Sequence, residues 1–314
     1  MVTKNISLNS ALSEFPDVIQ KELRDALSKG AVIPSELALS WLKKLDIEIG
    51  SLMIKLLPIA KAYARAPISK FYVGAVALGM PPSSPISGPG NLYLGANMEF
   101  PNEALSLCVH GEQSAVNHAL IQGETGLQSL AINAAPCGYC RQFLYEITTA
   151  KTLNILLKKD EDQKSCAYTE KPLSYYLPDA FKPQNFDQKE KGLMEAEFHH
   201  LSIASKETLA QAALGGANAS YAPYTKDYCG VSLLGSNNQI YTGRYAENVA
   251  YNPSMSPIES ALAYMNMSLP AQANLNIIAA SLVEVSNSIS QKDVTEAVLS
   301  SVAPLINLEY ISAK

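Results

Sequence analysis

The sequence contains an internal repeat, and this repeat limits the folds that the chain can adopt. "PISKFYVGA" from Pro67 resembles "PYTKDYCGV" from Pro223, and "GANMEF" from Gly95 resembles "GRYAEN" from Gly243. The matches occur in the same order, and the predicted helices and strands around them also follow the same order. Such self-similarity at a fixed order indicates duplication of one structural unit. We therefore predict two copies of one domain.

A third match compares the regions where chemistry is concentrated. "HGEQSA" from His110 lies opposite "PIESAL" from Pro257, so that Glu112 faces Glu259. In this register proline replaces a histidine, and proline has no side-chain ligand atom. No cysteine follows Cys229. We therefore predict that the second copy is degenerate and has no catalytic activity.

Hydrophobic periodicity divides the chain into four segments. Residues 1–48 carry apolar residues at helical spacing, and helices alternate with short apolar strands in residues 49–158. The strands predicted near residues 129–135 and 152–157 are separated by a helix, which indicates a parallel pair joined by a crossover. Residues 159–202 are polar or irregular and form the predicted linker. The degenerate repeat occupies residues 203–314.

Composition excludes several classes of protein. The chain has 314 residues, 47% of them hydrophobic, which is enough for two domains that each bury a core. The net charge is −5 without any long block of like charges, so neither nucleic acid nor an anionic membrane surface is an expected partner. We expect no signal peptide and no membrane span. Five dispersed cysteines, an odd number, are typical of a protein of the reducing cytoplasm.

Two short motifs of the first repeat together predict a metal site. His110 and Glu112 lie two residues apart at a predicted helix start, and Cys137 and Cys140 form a C-x-x-C at the next one. C-x-x-C places two sulfurs one helical turn apart, and a helix N-terminus favours the thiolate form. With His110, these cysteines form a three-ligand site that suits one Zn²⁺ per chain. A catalytic zinc keeps its fourth position for water, whose proton Glu112 is placed to transfer.

Each residue also has a simpler interpretation when it is considered alone. C-x-x-C occurs in redox pairs and as half of a structural zinc site. A lone histidine is usually not a ligand, and a glutamate is common in the first turn of a helix. The combination of all four residues at two helix starts favours the catalytic zinc site.

The order H-x-E followed by P-C-x-x-C is the signature of zinc deaminases. Here the sequence resembles the cytidine deaminases, in particular their two-domain, homodimeric form, and the resemblance runs from about residue 50 to the C-terminus. "HGEQSAVNHAL", "PCGYCRQF" and "YLPDAF" carry it together with the repeat motifs. It implies an α/β fold, a three-layer α/β/α sandwich that is duplicated and preceded by a small helical segment. It also implies hydrolytic deamination of cytidine and deoxycytidine.

The resemblance assigns roles to further residues. Asn97 and Glu99 would bind the ribose 3′-hydroxyl, Phe71 would pack against the base, and Phe181 would reach the pocket of the neighbouring subunit. Gly111 stands where the family often has alanine and keeps the backbone N–H that serves the substrate. The alternatives are a polar strand end for Asn97 and Glu99, and plain strand core for Phe71.

Two assignments have an alternative of equal or nearly equal weight. Arg141 follows Cys140 directly, so it either donates to a thiolate or is a solvated helix residue. "GRYAENVAYNPS", residues 243–254, either lies near the active site of the partner subunit or forms an ordinary loop on the surface of the second repeat.

Two other functions share parts of these motifs. A deaminase of bases within RNA or DNA has the same zinc chemistry, but it needs a basic groove and aromatic platforms. This chain is acidic overall. A non-catalytic zinc protein would need Glu112 to be idle. The sequence therefore favours a free nucleoside as the substrate.

Overall fold

The computed structural model of the protein describes residues 6–81, 88–159, 166–183 and 192–314. The helices in these ranges are α1 (Leu8–Leu12), α2 (Asp17–Ser28), α3 (Ser35–Leu45), α4 (Ile49–Lys61), α5 (Gly111–Ile121), α6 (Gly138–Leu144), α7 (Leu173–Tyr176), α8 (Thr208–Asn218), α9 (Pro257–Ser268) and α10 (Lys292–Val302). The strands are β1 (Val32–Ile33), β2 (Gly74–Gly79), β3 (Leu92–Ala96), β4 (Met98–Glu99), β5 (Cys108–Val109), β6 (Leu127–Ile132), β7 (Asn154–Lys158), β8 (Tyr168–Pro172), β9 (Cys229–Gly235), β10 (Ile240–Arg244), β11 (Ile277–Val285) and β12 (Leu308–Ala313).

The first repeat is built on a mixed sheet with the strand order β1-β3-β2-β6-β7-β8. Strand β2 is antiparallel to both β3 and β6, whereas β6 and β7 are parallel, with Ser129 opposite Asn154. This parallel pair confirms the crossover that the sequence predicted. Helix α4 packs on one face of the sheet and α5 on the other, which gives three layers.

The second repeat has the same architecture. Its sheet has the order β10-β9-β11-β12, in which β9 is antiparallel to β10 and β11, and β11 is parallel to β12. Helices α8 and α9 both contact this sheet, as α4 and α5 contact the first one. The order and the strand directions match those of β3-β2-β6-β7. The duplicated three-layer α/β/α fold is therefore confirmed.

The two repeats meet through their inner helices. Helices α5 and α9 pack against each other, and one buried apolar cluster contains residues of both repeats. Asn117 of α5 donates to the carbonyl of Ser260 in α9 over 3.0 Å and accepts from the Ser260 hydroxyl at 2.6 Å. Two arginines cross in opposite directions. Arg65 of the first repeat donates to Asn266 at 2.6 Å, and Arg244 of the second repeat donates to the carbonyl of Leu120 at the end of α5.

The N-terminal segment is helical, as the sequence predicted, but it also extends the first sheet. Val32 pairs with Tyr93, and Ile33 pairs with Leu92. Helices α1 to α3 share a second buried cluster with α4, in which Trp41 is fully buried. The segment therefore covers the outer face of the first repeat.

The predicted linker of residues 159–202 lies partly outside the described residues. Of its described part, Tyr168–Pro172 forms β8, which pairs antiparallel with β7, and Leu173–Tyr176 forms α7. None of the helices in the described ranges is long and apolar enough to cross a membrane.

Candidate active site

The N-terminus of α5 places His110 and Glu112. His110 is the N-cap residue, with an extended backbone, and its N–H donates to the Gln113 side chain over 3.1 Å. This bond is one half of a capping box, which defines where the helix begins. Glu112 lies in the first turn and is only 4% exposed. The helix start thus holds an imidazole and a buried carboxyl group side by side.

The N-terminus of α6 places the two cysteines. Cys137 is the N-cap residue, and its sulfur accepts from the backbone N–H of Cys140 over 3.5 Å. Cys140 lies one turn further and is fully buried, whereas Cys137 is exposed. Because a C-x-x-C at a helix start directs both sulfurs to one side, the pair can bind a single ion.

The donor atoms of the two helix starts converge as the sequence predicted. The Nδ1 atom of His110 lies 3.4 Å from the sulfur of Cys137 and 3.3 Å from that of Cys140. All three donor atoms lie within 4.8 Å of one another. One imidazole nitrogen and two sulfurs are a donor set that Zn²⁺ prefers, and three protein ligands are typical of a catalytic site. The residues therefore fit zinc.

The protonation of the cluster is consistent with metal binding. Hydrogen bonds from Cys140 and His110 lower the pKa of Cys137 to about 3. Bonds with Cys108 and Cys137 raise the pKa of His110 to about 10, and burial raises the pKa of Cys140 well above its usual range. The groups therefore share protons that a divalent cation would displace, since metal ligands must be deprotonated.

A cavity of about 270 Å³ lies beside the cluster, and Glu112 lines it together with His110 and Cys137. Burial raises the pKa of Glu112, whose side chain also makes a hydrogen bond with Cys140. A carboxyl group with a raised pKa exchanges protons more readily near neutral pH. This position suits a group that carries protons between the metal site and a bound molecule.

Asn97 and Glu99 line the same cavity, and both hold its rim in place. Asn97 accepts from the Val73 N–H over 2.8 Å and donates to the Phe71 carbonyl over 2.9 Å. Glu99 accepts from the backbone N–H groups of Ile68 and Ser69 over 2.8 and 3.0 Å. The binding of a ribose hydroxyl by this pair stays a prediction.

In the second repeat Glu247 makes the same turn contacts that Glu99 makes in the first, and no metal-ligand cluster lies beside it among the described residues. Glu247 accepts from the N–H groups of Tyr224 and Thr225 over 2.8 and 3.2 Å, and from the Thr225 hydroxyl over 2.6 Å. The hydroxyl of Ser69 bonds to Glu99 in the same way. Glu99 therefore stabilises this turn as part of the fold, and any contact of Glu99 with a substrate is an additional role.

The other predicted site residues differ in their positions. Gly111 and Phe71 line the cavity, and Phe71 is 38% exposed. Phe181 is not among the lining residues of this cavity within the described ranges; it is 44% exposed, and its backbone pairs with the Gln142 side chain. Its contact with a neighbouring subunit stays a prediction.

The contacts of Arg141 contradict both of the roles predicted for it. It donates to the carbonyls of Pro136 and Tyr176 over 2.7 and 3.0 Å, rather than to a thiolate, and its guanidinium lies 5.8 Å from the centre of the Tyr176 ring. The reason is that the guanidinium finds two backbone carbonyls within reach, which satisfy its donors at a partly buried position.

Residues 243–254 do not form an ordinary surface loop of the second repeat, and their position near the active site of a partner subunit stays a prediction. Asn248 donates to the carbonyl of Gln142 over 3.2 Å, and the N–H of Val249 donates to Glu146 over 3.0 Å. Glu146 is buried and also accepts from the hydroxyl of Tyr221 over 2.7 Å. The segment therefore lies against α6 of its own chain and supports the helix that holds the cysteines.

Sequence reasoning missed two side chains that contact His110. The Tyr139 ring stacks on the imidazole, with 5.3 Å between the ring centres and 26° between the planes. The Cys108 thiol is a further neighbour of His110 that raises its pKa, although it lies outside the three-residue cluster. In the sequence Tyr139 lies between the two cysteines, and from this position its contact with His110 could have been predicted.

The register of the third repeat match is wrong by one residue. Helix α9 has Ser256 as its N-cap, and the Ser256 N–H donates to Glu259 over 2.9 Å, as the His110 N–H donates to Gln113. The close approach of a strand glycine to each helix gives the same register. A Cβ at Gly95 would lie 2.2 Å from the nitrogen of Ala115, which is five residues after His110. A Cβ at Gly243 would lie 2.2 Å from the nitrogen of Ala261, which is five residues after Ser256.

The corrected register changes which residues replace the metal site. Ser256 stands at the position of His110, and Ile258 stands at that of Glu112. Helix α10 has Gln291 as its N-cap, so Gln291 and Val294 replace the two cysteines. Capping geometry decides this alignment, and the identical pairs Ser114/Ser260 and Ala115/Ala261 agree with it. The prediction that the second repeat lacks a zinc site does not change.

Zinc content tests this register. Wild-type protein should bind about one zinc ion per chain, and Ser256→His alone should not add a second, because both thiolates remain absent. The triple variant Ser256→His, Gln291→Cys, Val294→Cys should approach two ions per chain by elemental analysis. The same two cysteines combined with Pro257→His are the control and should stay at one. A second ion in that control would contradict the register.

Comparison with known proteins agrees with this geometry. Residues 50–156 and 173–296 match two family models, each described as the zinc-binding region of cytidine and deoxycytidylate deaminases. The duplicated fold and the His/Cys/Cys cluster thus define a zinc-binding deaminase.

Relatives specify the family. The chain is 39% identical to a cytidine deaminase of Photobacterium profundum over 308 residues, 98% of each chain. It is 40% identical to a cytidine deaminase of Vibrio cholerae over 309 residues, 97% of this chain and 98% of the relative. The chain belongs to the cytidine deaminase family.

Solved structures of shorter members are also similar to it. The cytidine deaminase of Burkholderia pseudomallei is 30% identical, with a TM-score of 0.34, and the match covers 41% of this chain and 97% of that one. For the enzyme of Mycobacterium tuberculosis the identity is 29% and the TM-score is 0.33, with 43% and 98% covered.

Proposed function

We propose that the protein is a hydrolase that deaminates cytidine and deoxycytidine to uridine and deoxyuridine, with release of ammonia, in pyrimidine salvage. The observation that carries the proposal is the three-ligand cluster of His110, Cys137 and Cys140 in one cavity with the buried Glu112. Relatives of nearly the same length are named cytidine deaminases.

The residues of the cavity divide the chemistry among them. His110, Cys137 and Cys140 would hold the zinc, which would make a water molecule easier to deprotonate by lowering its pKa to about 7. Glu112 accepts a proton from the attacking water and delivers it to N3 of the pyrimidine. Addition of the hydroxyl at C4 gives a tetrahedral carbon. Glu112 then takes the proton of that hydroxyl and gives it to the amino group, so that the C4–N bond breaks, C4=O forms and ammonia leaves. The 4-amino group is exchanged for an oxygen, and one water is consumed.

Turnover of several substrates tests the proposal. Purified zinc-loaded protein is incubated with cytidine, deoxycytidine, cytosine and a cytosine-containing oligonucleotide, and the change in ultraviolet absorbance is followed. We expect the two nucleosides to react and the oligonucleotide not to react. Faster turnover of the oligonucleotide would favour a nucleic-acid deaminase, and no reaction of any substrate would favour a non-catalytic zinc protein.

The role of Glu99 in binding the ribose can be separated from its role in the fold. Glu99→Gln should lower kcat/KM for cytidine by roughly 5- to 150-fold, because losing a charged hydrogen-bond partner costs about 1–3 kcal/mol. The loss should nearly vanish for a nucleoside without the 3′-hydroxyl. Glu247→Gln disturbs the equivalent turn of the second repeat and should leave kcat/KM near the wild-type value. An equal loss with the 3′-deoxy analogue would show that Glu99 does not bind that hydroxyl.

We also propose that the protein is a homodimer in which Phe181 contributes to the partner's nucleoside cavity. The exposed apolar side chains of Phe71, which lines the cavity, and of Ile68 and Phe181 support an interface. The mass in solution should be twice the 33.8 kDa of one chain. A reducing cytoplasm suits the site, since oxidation of Cys137 and Cys140 to a disulfide would remove two ligands.

Subunit complementation tests the position of Phe181. Phe181→Ala should lower kcat/KM roughly 10-fold, as expected for loss of about 1.4 kcal/mol of apolar contact. In a mixed dimer with Glu112→Gln, the intact Glu112 belongs to the Phe181→Ala chain, and its partner supplies Phe181. Activity per intact Glu112 should then return to the wild-type value. If the mixed dimers keep the low activity of Phe181→Ala, Phe181 acts within its own chain.

A further inference from the structure

The second repeat keeps a cavity where the first repeat has its metal site. The cavity has a volume of about 580 Å³, and Ser256, Gln291 and Val294 line it, the residues that replace the three zinc ligands. Tyr139 and His110 of the first repeat form part of its wall. Pockets of 300–1,000 Å³ are typical of small-molecule sites. The second repeat therefore lacks the metal ligands but keeps a cavity large enough for a small molecule.

A buried carboxyl group faces this cavity with one oxygen unused. Glu259 lines the cavity and is only 6% exposed. Both hydrogen bonds from Ser256, over 2.9 Å from the N–H and 2.6 Å from the hydroxyl, go to Oε2. Within the described part of the chain, Oε1 has no hydrogen-bond partner. Because both bonds use Oε2 and Glu259 lines the cavity, Oε1 is available to accept from an N–H donor of a ligand there.

The remaining lining residues restrict the class of ligand. Tyr139 and Tyr245 offer aromatic surface, and Leu107 and Val294 add apolar contacts, which together favour a flat ring. No lysine or arginine that could pair with a phosphate is among the described lining residues. A phosphorylated ligand is therefore disfavoured.

We propose that this cavity is a second binding site for an uncharged pyrimidine base or nucleoside, which is held there without reaction. The ring N–H donates to Oε1 of Glu259, and the ring packs beside Tyr245. No chemistry follows, because Ser256, Gln291 and Val294 cannot hold the metal and Ile258 cannot carry protons. The choice of a pyrimidine rests on the proposed function of the equivalent site in the first repeat.

The number of bound uridine molecules tests the proposal. Radiolabelled uridine is dialysed to equilibrium against the full-length, zinc-loaded protein. We expect two molecules per chain for the wild type and one for Val294→Phe, whose ring would fill the cavity. Glu259→Gln should weaken the second site at least 10-fold and leave the first unchanged. Ile289→Phe enlarges a partly exposed side chain just before α10 and should keep both sites.

Each outcome decides for or against the second site. One uridine per chain in the wild type would overturn the proposal, as would two that neither Val294→Phe nor Glu259→Gln reduces. If Val294→Phe fails to fold, Glu259→Gln decides, since it keeps the shape of the side chain. Cytidine turnover is measured on the same samples. Turnover with a single uridine site contradicts only the second site, whereas two sites without turnover contradict only the proposed reaction.

Discussion

Glu112→Gln is expected to keep the zinc and to lower kcat by at least roughly 10²- to 10⁴-fold, the usual contribution of one general acid–base group. Glutamine has the size of glutamate and can still form hydrogen bonds at the start of α5, but it cannot accept and release protons. The same carboxyl group is expected to serve the water, N3 and the leaving amine, so the loss should be at the upper end of this range or beyond it. Steady-state turnover of cytidine and elemental analysis of the same sample measure the two properties.

A matched control separates chemistry from structure. Glu124 lies beyond the opposite end of α5, accepts from the Tyr93 hydroxyl over 2.8 Å and lies outside the nucleoside cavity. Glu124→Gln removes the same charge near the same helix and should leave kcat within a small factor of wild type. If Glu112→Gln kept most of its kcat, the proton-transfer role would be refuted.

Cys137→Ala should remove both the zinc and the activity. Two remaining ligands, His110 and Cys140, hold the ion far more weakly than three, and without it no activated water is present. Elemental analysis should show zinc falling from about one ion per chain to near zero, and cytidine turnover should fall below detection. A chelator applied to the wild type should produce the same loss, and added Zn²⁺ should reverse it only in the wild type.

Cys166→Ala is the control for the loss of a thiol. Cys166 is partly exposed and lies just before β8, outside the three-residue cluster. This variant should keep both zinc and turnover. Full activity of Cys137→Ala without zinc would contradict a metal-dependent reaction, whereas zinc retained without activity would show that Cys137 is not a necessary ligand.

The zinc cluster could be predicted from the sequence because its chemistry is local. Cys137 and Cys140 lie on one helical turn, and His110 stands at another helix start, so each motif carries its own geometry. The distances of 3.3 and 3.4 Å between His110 and the two sulfurs confirm that the motifs meet. The order of helices and strands was predictable for a similar reason, since apolar residues at periods of 3.6 and 2 reveal each element separately.

Capping fixes the register of the second repeat, and the sequence also carried a signal for it that the match of Glu112 with Glu259 obscured. Pairing Glu112 with Glu259 sets His110 opposite Pro257, whereas a shift of one residue pairs Ser114 with Ser260 and Ala115 with Ala261. In the structure, the N-cap position and the close approach of Gly243 to Ala261 place Ser256 there instead. A shift of one residue turns a helix by about 100° and would disrupt the packing.

The sequence by itself determined the duplication and predicted the ligands and the proton carrier, because donor chemistry and periodicity are properties of short segments. Only the tertiary structure decided what surrounds them. It pairs Val32 with Tyr93, stacks Tyr139 on His110 and sets residues 243–254 against α6. Two-residue strands and contacts between distant segments leave no periodic signal, since their stability comes from partners far along the chain. Glu99 shows the same limit, because its turn contacts recur at Glu247 and became visible only when the two folded repeats could be compared.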